Sequence, residues 1–272
     1  MKFSLFDSGI GGLTVLKELY DEYPEGIEFS YFGDTGRVPY GSKSTEILKK
    51  QLFQIFDFIK KLEPDLVVSA CNTSDSVIDD SILEFLGIQY IGIIDSVINY
   101  FVDDINKDSS IGIIGTEQTV KKSLYLKKIV SKCDAKFIVQ KACPLFVPLV
   151  EEGNWSGTVV DTIVRFYLKR IKKIDVDFLI LGCTHYPFLY SSIKKYLDST
   201  TKIIDPAKYI SKRINIDRRE LSKDKSIVNF YVSGDTSSFK RNVDNYFKNN
   251  LNYNIYYVDV SEEKIKIIKK VF

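Results

Sequence analysis

Short apolar runs rich in Val, Ile and Phe recur along the chain, separated by longer stretches whose apolar residues return every three or four positions. The short runs predict strands at 2–6, 27–32, 65–69, 88–94, 111–114, 136–139, 177–181, 202–204 and 227–232. Between them, Leu48, Leu52, Ile55, Phe56, Ile59 and Leu62 share one helical face, as do Val160, Ile163, Val164, Tyr167, Leu168 and Ile171. Strands alternating with amphipathic helices predict an α/β chain with mostly parallel sheets. The segment 248–257 is biased toward Asn and Tyr, and neither an element nor a function is read from it.

The pattern repeats. Asp65-Leu-Val-Val-Ser-Ala-Cys-Asn-Thr73 is echoed by Asp177-Phe-Leu-Ile-Leu-Gly-Cys-Thr-His185, and the two cysteines lie 183 minus 71, or 112, residues apart. The Ile-Ile-Asp triplets ending at Asp95 and Asp205 lie 110 apart, and Phe3-Ser-Leu-Phe-Asp-Ser8 pairs with Ile111-Gly-Ile-Ile-Gly-Thr116 at a similar offset. Three landmarks at nearly one spacing predict two similar lobes. In parallel sheets ligand groups gather beyond the carboxyl ends of the strands. Two lobes facing each other would bring Cys71 and Cys183 to one ligand from opposite sides.

Composition narrows the chemistry. The 272 residues, 44% hydrophobic, supply an ample core. Lys+Arg 38 against Asp+Glu 36 leaves no basic block that reads as a nucleic-acid footprint. The amino terminus reaches Asp7 too soon for a signal peptide, and no apolar run approaches the ~20 residues of a membrane span; a soluble, cytoplasmic protein is expected. Cys71, Cys133, Cys143 and Cys183 form no Cys-x-x-Cys pair and there is one histidine, so free thiols are expected and no metal site. The loop Asp7 to Gly12 begins a Gly-x-Gly-x-x-Gly pattern, but Thr14 holds its last position, so glycine serves turn and packing there rather than a nucleotide.

Two opposed thiols suit a particular reaction. A free cysteine has a pKa near 8.5 that its surroundings can move, so one thiolate can take a proton from carbon while the opposing thiol gives one to the other face. The result is inversion of a stereocentre without cofactor or metal. Asn72, Thr73 and Thr184, beside the thiols, offer donors and acceptors for a charged substrate. Cys133 and Cys143 lack such neighbours and read as packing.

Asp7-Ser-Gly-Ile-Gly-Gly12, Pro39-Tyr-Gly41, Ala70-Cys-Asn-Thr73, Cys143-Pro-Leu-Phe-Val-Pro-Leu-Val-Glu151, Leu181-Gly-Cys-Thr-His-Tyr-Pro187 and Tyr231-Val-Ser-Gly-Asp235 together resemble the glutamate racemases of the aspartate/glutamate racemase superfamily. The resemblance implies a cofactor-independent enzyme that interconverts L- and D-glutamate, supplying D-glutamate for bacterial peptidoglycan, commonly as a homodimer. It implies two α/β lobes related by a pseudo-twofold with the active site between them: 1–96 plus 207–272, and 97–206. Cys71 and Cys183 match the two catalytic bases, and Asp7, Glu151 and His185 match residues that assist proton transfer. Asp7, Ser8, Tyr40, Gly41, Asn72, Thr73, Thr184 and His185 match substrate contacts.

One position departs from the pattern: Asp75 stands in Ser74-Asp75-Ser76 where the family usually has small residues. Facing the site, it would raise the Cys71 thiol pKa and repel a substrate carboxylate. Turned away, it is a stabilising acid in a helical first turn, the reading favoured here. It motivates two alternatives, a racemase of aspartate or another amino acid and an amino-acid-binding protein without catalysis. A thiol hydrolase using Cys183 and His185 is a third.

Overall fold

A computed structural model describes residues 1–197, 200–261 and 264–272. Eleven strands are found among them: β1 (Lys2–Asp7), β2 (Glu28–Gly33), β3 (Leu66–Ser69), β4 (Tyr90–Gly92), β5 (Ser110–Gly115), β6 (Phe137–Ala142), β7 (Phe178–Gly182), β8 (Lys202–Ile204), β9 (Ile227–Val232), β10 (Tyr253–Val260) and β11 (Ile265–Lys270). They build a seven-stranded sheet ordered β11-β10-β9-β2-β1-β3-β4 and a four-stranded sheet ordered β6-β5-β7-β8. Every pairing is parallel except β10 with β11. The order β2-β1-β3-β4 matches β6-β5-β7-β8 element for element, which is the repeat that the 112-residue echo announced.

The central strands are buried because helices cover both faces, which is why they read as continuous rather than alternating apolar runs. Phe3, Leu5 and Phe6 of β1, and Ile111, Ile113 and Ile114 of β5, are all buried. The helix Thr45–Lys60, opened by a Ser44 side chain that accepts from Ile47 N–H, lays Leu48, Leu52, Ile55, Phe56 and Ile59 on the larger sheet's core. The helix Thr158–Ile174 buries Val160, Val164, Tyr167, Leu168 and Ile171.

Two features depart from expectation. Ile93 and Ile94, read as the end of a strand, instead open the helix Ile93–Phe101. The reason is remote: Ile94 N–H donates to the Asp75 carboxylate at 2.8 Å, and a short strand gives way to a helix once its first free N–H has an acceptor. The second is the Asn- and Tyr-rich tail, which continues into β10 and a hairpin with β11. Ile255 and Val258 are its buried side chains, and the rest of β10 shows no clean alternation.

The end of the four-stranded sheet is tightly packed. Gly115 of β5 pairs with Gly182 of β7, and a Cβ at Gly182 would stand 2.8 Å from the Ile114 carbonyl oxygen. The contact is with backbone, which cannot swing aside. Gly182→Ala is therefore expected to destabilise the chain by about 1–3 kcal/mol through overpacking, measured as a shift of the urea midpoint; an unchanged midpoint would contradict the packing described.

Candidate active site between the two sheets

Asp7 closes β1, and Cys71 follows β3 beside it. In the other sheet Thr116 follows β5, and Cys183 follows β7 beside it. Both thiols thus leave the carboxyl ends of equivalent strands, and both are nearly closed off, at 3% and 5% exposure. They are near enough that a charge on Cys183 acts on Cys71.

Hydrogen bonds stitch the two strand ends together. Thr184 Oγ1 donates to Asp7 Oδ2 at 2.9 Å, while Gly9 N–H donates to Asp7 Oδ1 at 2.9 Å. Thr73 and Thr116 share a hydroxyl contact of 2.9 Å. Tyr125 hydroxyl donates to Asn72 Oδ1 at 2.5 Å. Gln118 N–H donates to the Gly41 carbonyl at 3.0 Å, and a side chain at Gly41 would collide with Thr116, so glycine lets that loop reach the second sheet.

Behind Cys183 runs a chain of polar groups. Its Sγ lies 3.7 Å from His185 Nδ1, His185 Nε2 lies 2.6 Å from Glu151 Oε1, and the same carboxylate oxygen accepts from Ile10 N–H at 2.9 Å. Burial alone would pull the His185 pKa down, but its contacts with Cys183 and Glu151 prevail and hold it well above the usual value. The imidazolium is therefore the favoured form, with one N–H toward Glu151 and the other toward Cys183. Glycine is required here: a Cβ at Gly9 would meet Glu151 Oε1 at 1.8 Å, and one at Gly11 would meet His185 Nδ1 at 2.4 Å.

Cys71 sits differently. It caps the four-residue helix Asn72–Asp75, its Sγ accepting from Ser74 N–H at 3.5 Å, yet burial first and the Asp7 charge second push its pKa up to about 12. Burial likewise raises the Asp7 carboxyl, against the opposing pull of His185, Gly9 N–H and Thr184. Above neutral pH, then, one thiol has a cation at its back and the other keeps its proton.

Of the residues singled out in the sequence, Asp7, Asn72, Thr73, Glu151, Thr184 and His185 are tied into this network, and Ser8 is buried in the turn after β1. Tyr40 is buried, and its hydroxyl is committed to Asp34, to which it donates. Glu152 is exposed, and Cys143 is buried with its carbonyl accepting from Tyr186. Asp205 caps the turn that begins at Pro206, and Asp95 pairs with Lys128; both serve structure. Sequence reasoning read Gly9 and Gly11 as turn and packing glycines without their partners Glu151 and His185, and it passed over Tyr125 and Thr116. Only Thr116 left a trace, as the counterpart of Ser8 in the repeat. Among the described residues no group of His, Cys, Asp and Glu could hold a metal ion, and no helix is long and apolar enough to cross a membrane.

Comparison with known proteins agrees with this architecture. The family model described as Asp/Glu/Hydantoin racemase matches residues 21–213. A glutamate racemase of Carboxydothermus hydrogenoformans is 39% identical over 239 residues, covering 87% of this chain and 88% of that protein. The crystal structure of glutamate racemase from Campylobacter jejuni subsp. jejuni superposes with a TM-score of 0.84 at 34% identity, covering 92% of this chain and 99% of that one. The glutamate racemase of Francisella tularensis subsp. tularensis, solved in complex with D-glutamate, gives 0.83 at 31% identity over 96% and 98%. Matched nearly end to end by such relatives, the chain belongs to the Asp/Glu/hydantoin racemase family, among its glutamate racemases.

Proposed function

We propose that the chain interconverts L- and D-glutamate by two-base proton transfer at Cα, with Cys71 and Cys183 on opposite faces of the substrate. The observation that carries this reading is the pair of buried thiols at the carboxyl ends of equivalent strands in two facing sheets. A thiolate on one side takes the Cα proton, leaving its electron pair on carbon, and the thiol on the other side returns a proton from the opposite face. In the closed arrangement Cys71 holds its proton and serves as the acid, while Cys183, backed by the His185 imidazolium, serves as the base. Each turnover leaves Cys183 protonated and Cys71 as the thiolate, the form that acts on the other enantiomer; to act again on the same one, Cys183 has to shed that proton and Cys71 to regain one.

The carboxylate and developing charge of the substrate need donors. Asn72 Nδ2 is buried and has no hydrogen-bond partner among the described residues, while Asn72 Oδ1 is fixed by Tyr125. A donor so oriented and unspent suits a substrate carboxylate. D-glutamate is bound in the Francisella relative, and transfer of that chemistry to this chain is supported by 31% identity and a TM-score of 0.83 over 96% of this chain. The lobes 1–96 plus 207–272 and 97–206, a homodimer, and the supply of D-glutamate to peptidoglycan in the cytoplasm complete the reading by the same likeness.

The case for another substrate rested on Asp75 repelling a carboxylate. Its carboxylate is committed to Tyr90 and Ile94, and the acid that raises Cys71 is Asp7.

In deuterated buffer either enantiomer of glutamate is expected to racemise with deuterium entering at Cα, and Cys71→Ser or Cys183→Ser is expected to cut kcat by about 10²–10⁴-fold. Full racemisation by either variant, followed by circular dichroism, would sink the mechanism. The pH profile tests the polar chain behind Cys183. His185, with its pKa raised, is charged below that pKa and loses its proton as pH rises through it. Glu151→Gln removes one of the contacts that raise it, so the alkaline limb of kcat/KM should move to lower pH, with kcat falling about tenfold or more. An alkaline limb left in place would show that Glu151 does not tune His185.

A further inference from the structure

Asp75 is a buried carboxylate beside the site that the proton transfers do not use. It is the last residue of the helix Asn72–Asp75, and its own N–H donates to the Cys71 carbonyl at 2.9 Å. Its side chain turns toward the edge of the larger sheet. There Oδ1 accepts from the Tyr90 hydroxyl of β4 at 2.6 Å and Oδ2 accepts from Ile94 N–H at 2.8 Å. The helix Ile93–Phe101 has Gly92 at its cap position, with no side chain to accept its first N–H groups. Asp75 supplies that acceptor from a different element, at the helix end where a negative charge is favoured. Gly92 is fitted to it, since a Cβ there would stand 2.3 Å from Asp75 Oδ1.

The groups facing this carboxylate are Tyr90 from β4, Ile94 N–H and Asp95 from the helix Ile93–Phe101, and Tyr125 and Lys128 from the helix Leu124–Lys132. Burial pushes the Asp75 pKa up to about 6, against the pull of the Tyr90 hydroxyl, the Ile94 N–H and Lys128. Above that pH it is ionised and accepts both bonds.

The turn that bears Cys71, Asn72 and Thr73 is thus held from two directions. Asn72 and Thr73 are held by Tyr125 of the helix Leu124–Lys132 and by Thr116 after β5, single hydrogen bonds weak enough to open and re-form. Asp75 ties the other end of the same short helix to β4 and to the helix Ile93–Phe101, within one sheet. We infer that Asp75 is a positioning residue for Cys71, fixing the thiol's turn to the larger sheet so that its sulfur keeps its aim while the contacts across the sheets open and close.

This inference rests on the two-base reading above, and isotope effects separate the two. Misaiming one base makes its own step slower. With [2-²H]glutamate at pH 8, Asp75→Ala is expected to lower kcat/KM by about tenfold to a hundredfold. The primary isotope effect should rise for the enantiomer deprotonated by Cys71 and fall for the other, with the solvent isotope effect moving the opposite way. Asp75→Asn, which keeps the volume and the Tyr90 contact but turns an amide toward Ile94 N–H or gives up one acceptor, is expected to show the same asymmetry at a smaller loss; it carries the test if the alanine variant does not fold. A kcat/KM within twofold of the native chain, or a loss with isotope effects that change alike from both enantiomers, would overturn the positioning role. No turnover by the native chain would instead defeat the two-base reading itself.

Discussion

An imidazolium with almost no exposure to water is tolerable only if a carboxylate goes with it, because an unpaired buried charge costs several kcal/mol or more. Glu151 meets that condition for His185, and the rest of the site is arranged around the pair. The carboxylate belongs to the helix Phe146–Glu151 and the imidazole to the loop after β7, yet the second donor to that carboxylate, Ile10 N–H, belongs to the loop after β1. The carboxylate of the ion pair thereby ties the loop after β1 to the side of the four-stranded sheet. It also explains why Gly9 and Gly11 carry no side chains, since each would occupy the space of Glu151 or His185. Charge pairing, backbone approach and the position of Cys183 are a single arrangement seen from three sides.

The same economy governs the closure of the site. Both thiols and the polar groups near them are buried, so substrate can reach them only if bonds such as Thr73 to Thr116, Asn72 to Tyr125 and Thr184 to Asp7 loosen. Each is a single hydrogen bond of modest net strength, and they join two separately hydrogen-bonded sheets, so opening between the sheets is cheaper than opening within either. Within a sheet the thiols are fixed by strand pairing, by Gly182 packed on β5, and at Cys71 by the carboxylate of Asp75. Water excluded on closing strengthens the electrostatic effects that stabilise charge on carbon.

Much of this was legible in the sequence. The nine strands β1 to β9, two of which lead to the thiols, follow from apolar runs, because central parallel strands are buried on both faces and advertise it. The repeat was visible because equivalent strand ends need the same residue types, Asp before the run and Cys after it. What local pattern could not reveal depends on partners distant in the chain. Ile93 and Ile94 look like strand until Asp75, nineteen positions earlier, is seen to cap them. Strands β10 and β11 lie toward the sheet's edge, where β11 buries little but Ile265, so neither leaves a strong period. Tyr125 shows no sequence mark because its role is one hydroxyl delivered to Asn72 from the helix Leu124–Lys132, some fifty positions away. Asp75 could be flagged as unusual, but only its partners reveal that it faces away from the substrate side.

The central claim is that two sheets present one thiol each to opposite faces of a single carbon. A crystal structure of this chain with glutamate bound tests it most directly. The account predicts Cα lying between the sulfurs of Cys71 and Cys183, one on each face, with the Asn72 amide donating to the substrate carboxylate. Both sulfurs on one face of Cα, or an amino acid seated away from either of them, would contradict it.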